Sequence, residues 1–170
     1  MRRTEPSAER EGLDRSSLSA LSDKINKICE GLLFILMTAM IAITTLQIVF
    51  RFFFEALVWS EELTRFLLVA SSLVGASIGF KRGSHIAITF LANKLSPKAS
   101  KALGVFIQLA SMAFFVIVGW YGILMMKSEG GQTTPALGIS MAWIYLFYPA
   151  VSLVIMVHLA DSLLKILRRD

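Results

Sequence analysis

Apolar residues arrive in four long runs separated by short polar segments. The run Gly31 to Phe50 holds twenty residues without a charge, about 30 Å as a helix, which matches the hydrocarbon core of a bilayer. A second uncharged run, Phe66 to Phe80, has fifteen residues, only about 22 Å. It spans only if Trp59 to Arg65 belongs to the same helix, which puts Glu61, Glu62 and Arg65 in or near the outer interface. The third run, Ala102 to Met126, has twenty-five uncharged residues and spans with some tilt. The fourth helix lies within Gly130 to Ala160. Gly130, Gly131 and Pro135 predict a loop first, so that helix starts at about Ser140. The expected fold is an all-α membrane protein with four transmembrane helices, near 29–51, 59–80, 102–126 and 140–160.

The flanks carry a weaker, amphipathic pattern. Leu18, Leu21, Ile25, Ile28 and Leu32 recur at spacings of three and four, one helical stripe that predicts a short interfacial helix leading into the first span. His85 to Leu95 is similarly mixed, closes at Ser96-Pro97, and is expected to lie along the cytoplasmic surface. The tail 1–17 is charged and serine-containing and is expected to be disordered. Residues 18–170 then form a single membrane domain. The first apolar run begins some thirty residues in and is too long for a signal-peptide core, so an uncleaved anchor is expected.

Charge sets the orientation. Arg2, Arg3, Arg10, Arg15, Lys24 and Lys27 precede the first span. Lys81, Arg82, Lys94, Lys98 and Lys101 lie between spans two and three, and Lys165, Arg168 and Arg169 follow the fourth. Fourteen basic residues thus fall on one side, against Arg51, Arg65 and Lys127 on the other. By the positive-inside rule both termini face the cytoplasm. The apolar share of 55% and charged share of 17% lie far from the balance of a soluble domain, about a quarter charged. A nucleic-acid partner is not expected. A single cysteine, Cys29, excludes an intrachain disulfide framework and a cysteine-rich metal site.

Candidate chemistry concentrates in the outer turn: Gln47, Arg51 to Glu55, Trp59, Glu61, Glu62 and Arg65. Its aromatics match an interfacial belt. Arg51 with Glu55, and Glu61 with Arg65, stand four apart and share helix faces on which ion pairs form. The cluster reads either as an ion path or partner surface, or as polar residues that pin the second helix at its depth. Ser71, Gly75 and Gly79 repeat at four-residue intervals, a small-residue face that admits a neighbouring helix. Lys81, Arg82 and His85 form a cytoplasmic turn. His85 and His158 fall near the same membrane face, so a haem-binding anchor subunit of a respiratory oxidoreductase is the alternative reading. No catalytic constellation is found: there is no phosphate-binding loop and no nucleophile–base spacing. No enzyme activity, metal site or cofactor is expected.

Taken together, Gln47-x-x-x-Arg51, Trp59-x-Glu61-Glu62-x-x-Arg65, Gly75 and Gly79, and Lys81-Arg82-Gly-Ser-His85-Ile86 resemble the small membrane subunit of tripartite ATP-independent periplasmic (TRAP) transporters. Ala136-Leu-Gly-Ile139 with Trp143, Tyr145 and Pro149 is similar to the fourth-helix region of that family. The likeness covers about Asn26 to Leu167; one departure is Ala87-Ile88-Thr89, where many relatives carry a basic and an acidic residue. The resemblance implies a multi-pass protein of the bacterial inner membrane. It implies two protein partners, a large membrane subunit that moves an organic acid with a coupling ion, and a periplasmic substrate-binding protein. It further implies that Arg51, Trp59, Glu61, Glu62 and Arg65 order the periplasmic end or touch a partner. The loop 130–140 would face the binding protein, and the amphipathic stretches would brace the scaffold at the inner leaflet.

Overall fold

The computed structural model describes residues 7–92 and 96–167. They form five helices, α1 (Ser7–Phe53), α2 (Val58–Ala92), α3 (Pro97–Glu129), the short α4 (Met141–Tyr145) and α5 (Phe147–Leu167). Four segments are long and apolar enough to cross a membrane: Ser17–Phe53, Val58–Gly83, Lys98–Glu129 and Met141–Leu167. The four expected spans are therefore present, each longer than its uncharged run.

Three boundaries differ from expectation, for identifiable reasons. The tail expected to be disordered to Ser17 is helical from Ser7; alanine, leucine, glutamate and arginine favour helix. The interfacial stripe is thus a continuation of one 47-residue helix, about 70 Å long, more than twice the hydrocarbon thickness. Second, Lys81 to His85 is not a turn: α2 runs through Gly83 to Ala92. One glycine costs a helix only about 1 kcal/mol. Of the amphipathic stretch Ile86 to Leu95, residues 93–95 lie outside the described residues, as do 1–6 of the tail. Third, the fourth span is broken once, at Leu146. Pro149 has no N–H to give the carbonyl of Tyr145, and its ring crowds that carbonyl. The backbone bonds Leu146 N–H to Ala142 O (3.0 Å) and Ala150 N–H to Leu146 O (3.2 Å) carry the helix past the break.

α1 packs chiefly on α2, α2 on α5, and α5 on α3. The core follows that order: Cys29 from α1, Val74 and Ile78 from α2, Val151, Ile155 and Leu159 from α5, and Phe115 from α3. Ile155 and Leu159 are 0% and 1% exposed, so α5 is the central helix. Phe80 meets Phe115 edge to face at 5.0 Å, a favoured aromatic geometry. Outward faces are strongly apolar, with Phe34, Ile35 and Ile41 on α1 and Phe106, Phe114 and Ile117 on α3 exposed. In a bilayer such faces meet lipid tails or another membrane helix.

Two helices come into tight contact at Gly119 and Gly122 of α3. A Cβ on Gly122 would lie 2.8 Å from both Tyr148 Cβ and Pro149 Cδ, and one on Gly119 would lie 3.3 Å from Ser152 Cβ. By contrast, a Cβ on Gly75 would meet only Leu33 of α1 at 3.9 Å, and one on Gly79 would meet nothing within 4 Å.

Candidate functional site

Polar chemistry gathers at the two ends of the bundle. The inner cluster joins three helices through Lys81 of α2. Its ammonium donates to Ser22 Oγ (2.6 Å) and Asp161 Oδ2 (3.0 Å) and pairs with Asp23 Oδ1 at 2.9 Å. An ammonium has three protons, and all three find acceptors. Ser22 and Asp23 come from α1, and Asp161 from α5. Asp161, its side chain 6% exposed, also receives Lys165 at 2.8 Å from the next turn.

The Ser22 oxygen is also 2.8 Å from His158 Nδ1. The hydroxyl donates to Nδ1 in one imidazole tautomer and accepts from Nδ1–H in the other, while its remaining lone pair takes the Lys81 ammonium. His158 Nε2 is buried and has no hydrogen-bond partner among the described residues. At the next residue of α5, Gln108 of α3 donates to the carbonyl of Leu159 at 2.9 Å, so all four spans are tied within this layer. Nearer the surface Arg82 pairs with Glu30 at 2.6 Å, and Asn26 donates to the same carboxylate. His85 lies in α2, and its side chain is outside the described residues.

The layer brings together 22–30 of α1, 81–82 of α2 and 158–165 of α5. It is the lysine- and arginine-rich end, which the charge asymmetry assigns to the cytoplasm. Its ionic groups are consumed in fastening helices.

The outer cluster is built around Glu62. The loop between α3 and α4 folds into a tight hairpin: Thr133 and Ser140 form an antiparallel bridge. Thr134 N–H donates to Ile139 O, and Gly138 N–H donates to Thr134 O (2.8 and 2.9 Å). Gly138 takes φ +67°, a left-handed conformation that glycine adopts without strain. Thr134 is 2% exposed, and its Oγ1 accepts from Ile139 N–H at 3.1 Å. Two amides at the tip, of Ala136 and Leu137, point at one oxygen of Glu62, at 3.0 and 2.8 Å. A carboxylate accepting two backbone N–H groups is a strong, charge-assisted clamp. It fixes the loop to the start of α2.

The other residues of the expected outer cluster stand apart from this clamp. Arg51, Trp59, Glu61 and Arg65 are exposed. Arg51 with Glu55 and Glu61 with Arg65 stand at ion-pair spacing, yet no bridge within 4 Å joins either pair among the described residues. Ser71 is buried, with its hydroxyl bonded to Leu67 O within α2.

Two features escaped sequence reasoning. The Lys81–Asp161 and Glu62–loop contacts join residues 80 and about 75 positions apart, which leave no local signal. The Gly119-x-x-Gly122 spacing of α3 was legible as small residues in an apolar run, but nothing marked it above the Gly75–Gly79 pair.

A chain with four helices long and apolar enough to cross a membrane is a multi-pass helical membrane protein. It belongs to the DctQ component family of tripartite ATP-independent periplasmic transporters, whose model matches residues 40–169. Among its relatives, the chain is 36% identical over 132 residues to the sialic acid TRAP transporter small permease protein SiaQ of Vibrio cholerae serotype O1. That match covers 74% of this chain and 73% of the relative. It is 31% identical over 133 residues to the sialic acid TRAP transporter permease protein SiaT of Haemophilus influenzae, covering 78% of this chain and 22% of that protein. A C4-dicarboxylate TRAP transporter small permease protein, DctQ of Vibrio cholerae serotype O1, is 28% identical over 107 residues, covering 62% of this chain and 46% of the relative. The family is one of transporter subunits, and the haem-anchor reading finds no support in it.

Proposed function

We propose that this chain is the small scaffold subunit of a TRAP-type secondary transporter. It holds a large transport subunit in the membrane and presents its outer end to a periplasmic substrate-binding protein, for ion-coupled uptake of an organic acid. The observation that carries this reading is the Glu62 clamp, which makes the 130–140 hairpin a preformed surface at the outer end. A docking surface gains affinity when it is ordered before the partner arrives.

Two further points support it. In the Haemophilus relative the segment similar to this chain makes up 22% of one longer permease polypeptide, which fits a large membrane partner for the separate small chain. The relatives are named for sialic acid and for C4-dicarboxylates, both organic acids.

Replacing Glu62 by alanine removes the acceptor from two loop amides, a loss of about 2 kcal/mol in loop anchoring. Uptake by membranes carrying the variant with its large subunit and binding protein is expected to fall. The affinity of the isolated binding protein for its solute stays unchanged. Uptake and complex yield equal to the parent would rule the clamp out of transport.

A further inference from the structure

One face of α2 is at odds with the rest of the outward surface. Glu61, Arg65, Leu68, Ser72, Ala76 and Gly79 are all exposed, and their spacings of three and four place them on one side of the helix. Elsewhere the exposed faces carry phenylalanine, isoleucine and tryptophan. Here the fold leaves two charged residues and a strip of short side chains uncovered.

Arg65 also lies deep. Gly75 faces Leu33 across the antiparallel α1–α2 contact, so Arg65, ten residues outward of Gly75, is level with about position 43 of α1. That position is inside the uncharged run Gly31 to Phe50, about 10 Å below its outer end. From the other end, Arg65 is sixteen residues from Lys81, about 24 Å, less than the roughly 30 Å hydrocarbon thickness. Lys81 is met by two carboxylates and a hydroxyl within the chain. Arg65 has no ion partner among the described residues. A charge at hydrocarbon depth requires a partner.

We propose that the Glu61–Gly79 face of α2 docks a transmembrane helix of the large subunit, and that this helix carries a carboxylate opposite Arg65. The inference rests on the scaffold reading and names the surface that serves it. Depth selects the occupant: a lipid phosphate lies at the headgroup level, outward of Arg65, and would reach it only past Glu61, one turn outward on the same face. Arg65 pairs more readily with a carboxylate, held at fixed depth on a helix. The short side chains at Ser72, Ala76 and Gly79 let that helix come close.

The test is co-purification of the tagged chain with its large subunit in mild detergent, for Arg65→Glu and Gly79→Trp. Each is expected to lower recovery of the large subunit at least about tenfold, Arg65→Glu by setting two carboxylates against each other and Gly79→Trp by holding the helices apart. Gly79 faces open space and Arg65 has no ion partner among the described residues, so both variants keep the parent's melting behaviour when purified alone. That separates docking from folding. Phe114→Trp on α3 is the control and keeps the complex. Full recovery with both α2 variants overturns the proposal, and loss of bound phospholipid with Arg65→Glu at full recovery assigns Arg65 to lipid instead. If the parent chain brings down no large subunit at all, the scaffold reading itself fails, a result distinct from either.

Discussion

Lys81→Met is expected to destabilise the bundle by about 3 kcal/mol, the usual result of removing one partner from a buried ion pair. The reason is stoichiometric. The ammonium satisfies Ser22, Asp23 and Asp161 with its three protons, and methionine, although similar in length, satisfies none. Asp161, 6% exposed, would keep only Lys165, whose own side chain is 42% exposed. The Ser22 hydroxyl would keep His158 but lose its donor. Because the three acceptors belong to α1 and α5, the loss is spread over both contacts of α2. Thermal unfolding of the purified subunit in detergent reads it directly, as a lower midpoint. Adding Asp161→Asn to Lys81→Met is expected to recover part of the loss, since the stranded carboxylate becomes neutral. Additive damage in the double variant would show that the two residues are not coupled.

Gly122→Val is expected to cost at least as much as overpacking elsewhere, about 1–3 kcal/mol, with the effect confined to α3 and α5. A Cβ at this position falls 2.8 Å from Tyr148 Cβ and from Pro149 Cδ. Neither is the free end of a flexible side chain: one is anchored on the backbone and the other is part of a ring. The helices must separate, and the apolar contacts between Phe115, Val151 and Ile155 loosen with them. Gly79→Ala is the matched comparison. It meets nothing within 4 Å and replaces the poorer helix former by the best, so the isolated subunit is expected to melt at or slightly above the parent. Equal melting of the Gly122 variant and the parent would mean that α3 and α5 are not held in this close register.

Much of the architecture is legible from hydropathy because the bilayer acts on each residue separately. Gly31 to Phe50 and Ala102 to Met126 predict spans whatever their neighbours do, and both lie inside observed helices. The short run Phe66 to Phe80 was readable as a span only with Trp59 to Arg65 attached, and α2 does begin at Val58. Helix ends were harder. Lys81 to His85 has the charges and glycine of a turn, but helical hydrogen bonding continues because one glycine is a small penalty against an otherwise sustained helix.

The outer cluster shows where pattern reading stopped. Spacing predicted i,i+4 ion pairs for Glu61 with Arg65 and Arg51 with Glu55, and neither forms within 4 Å among the described residues. Exposed pairs of this kind gain only a few tenths of a kcal/mol, too little to hold long side chains against their entropy. Glu62, with nothing in the sequence to rank it above Glu61, takes two backbone amides from a loop about 75 residues away.

By itself the sequence determined the number of spans, their order and the side on which the basic residues fall. These follow from transfer free energies that add residue by residue along the chain. Only the tertiary structure decided which charges are spent and which remain available. Lys81 is satisfied because α1 and α5 bring three acceptors to it, whereas Arg65 stays exposed and without an ion partner among the described residues. The energy of a polar group depends on the partner at 3 Å, and that partner is set by packing rather than by neighbours in sequence.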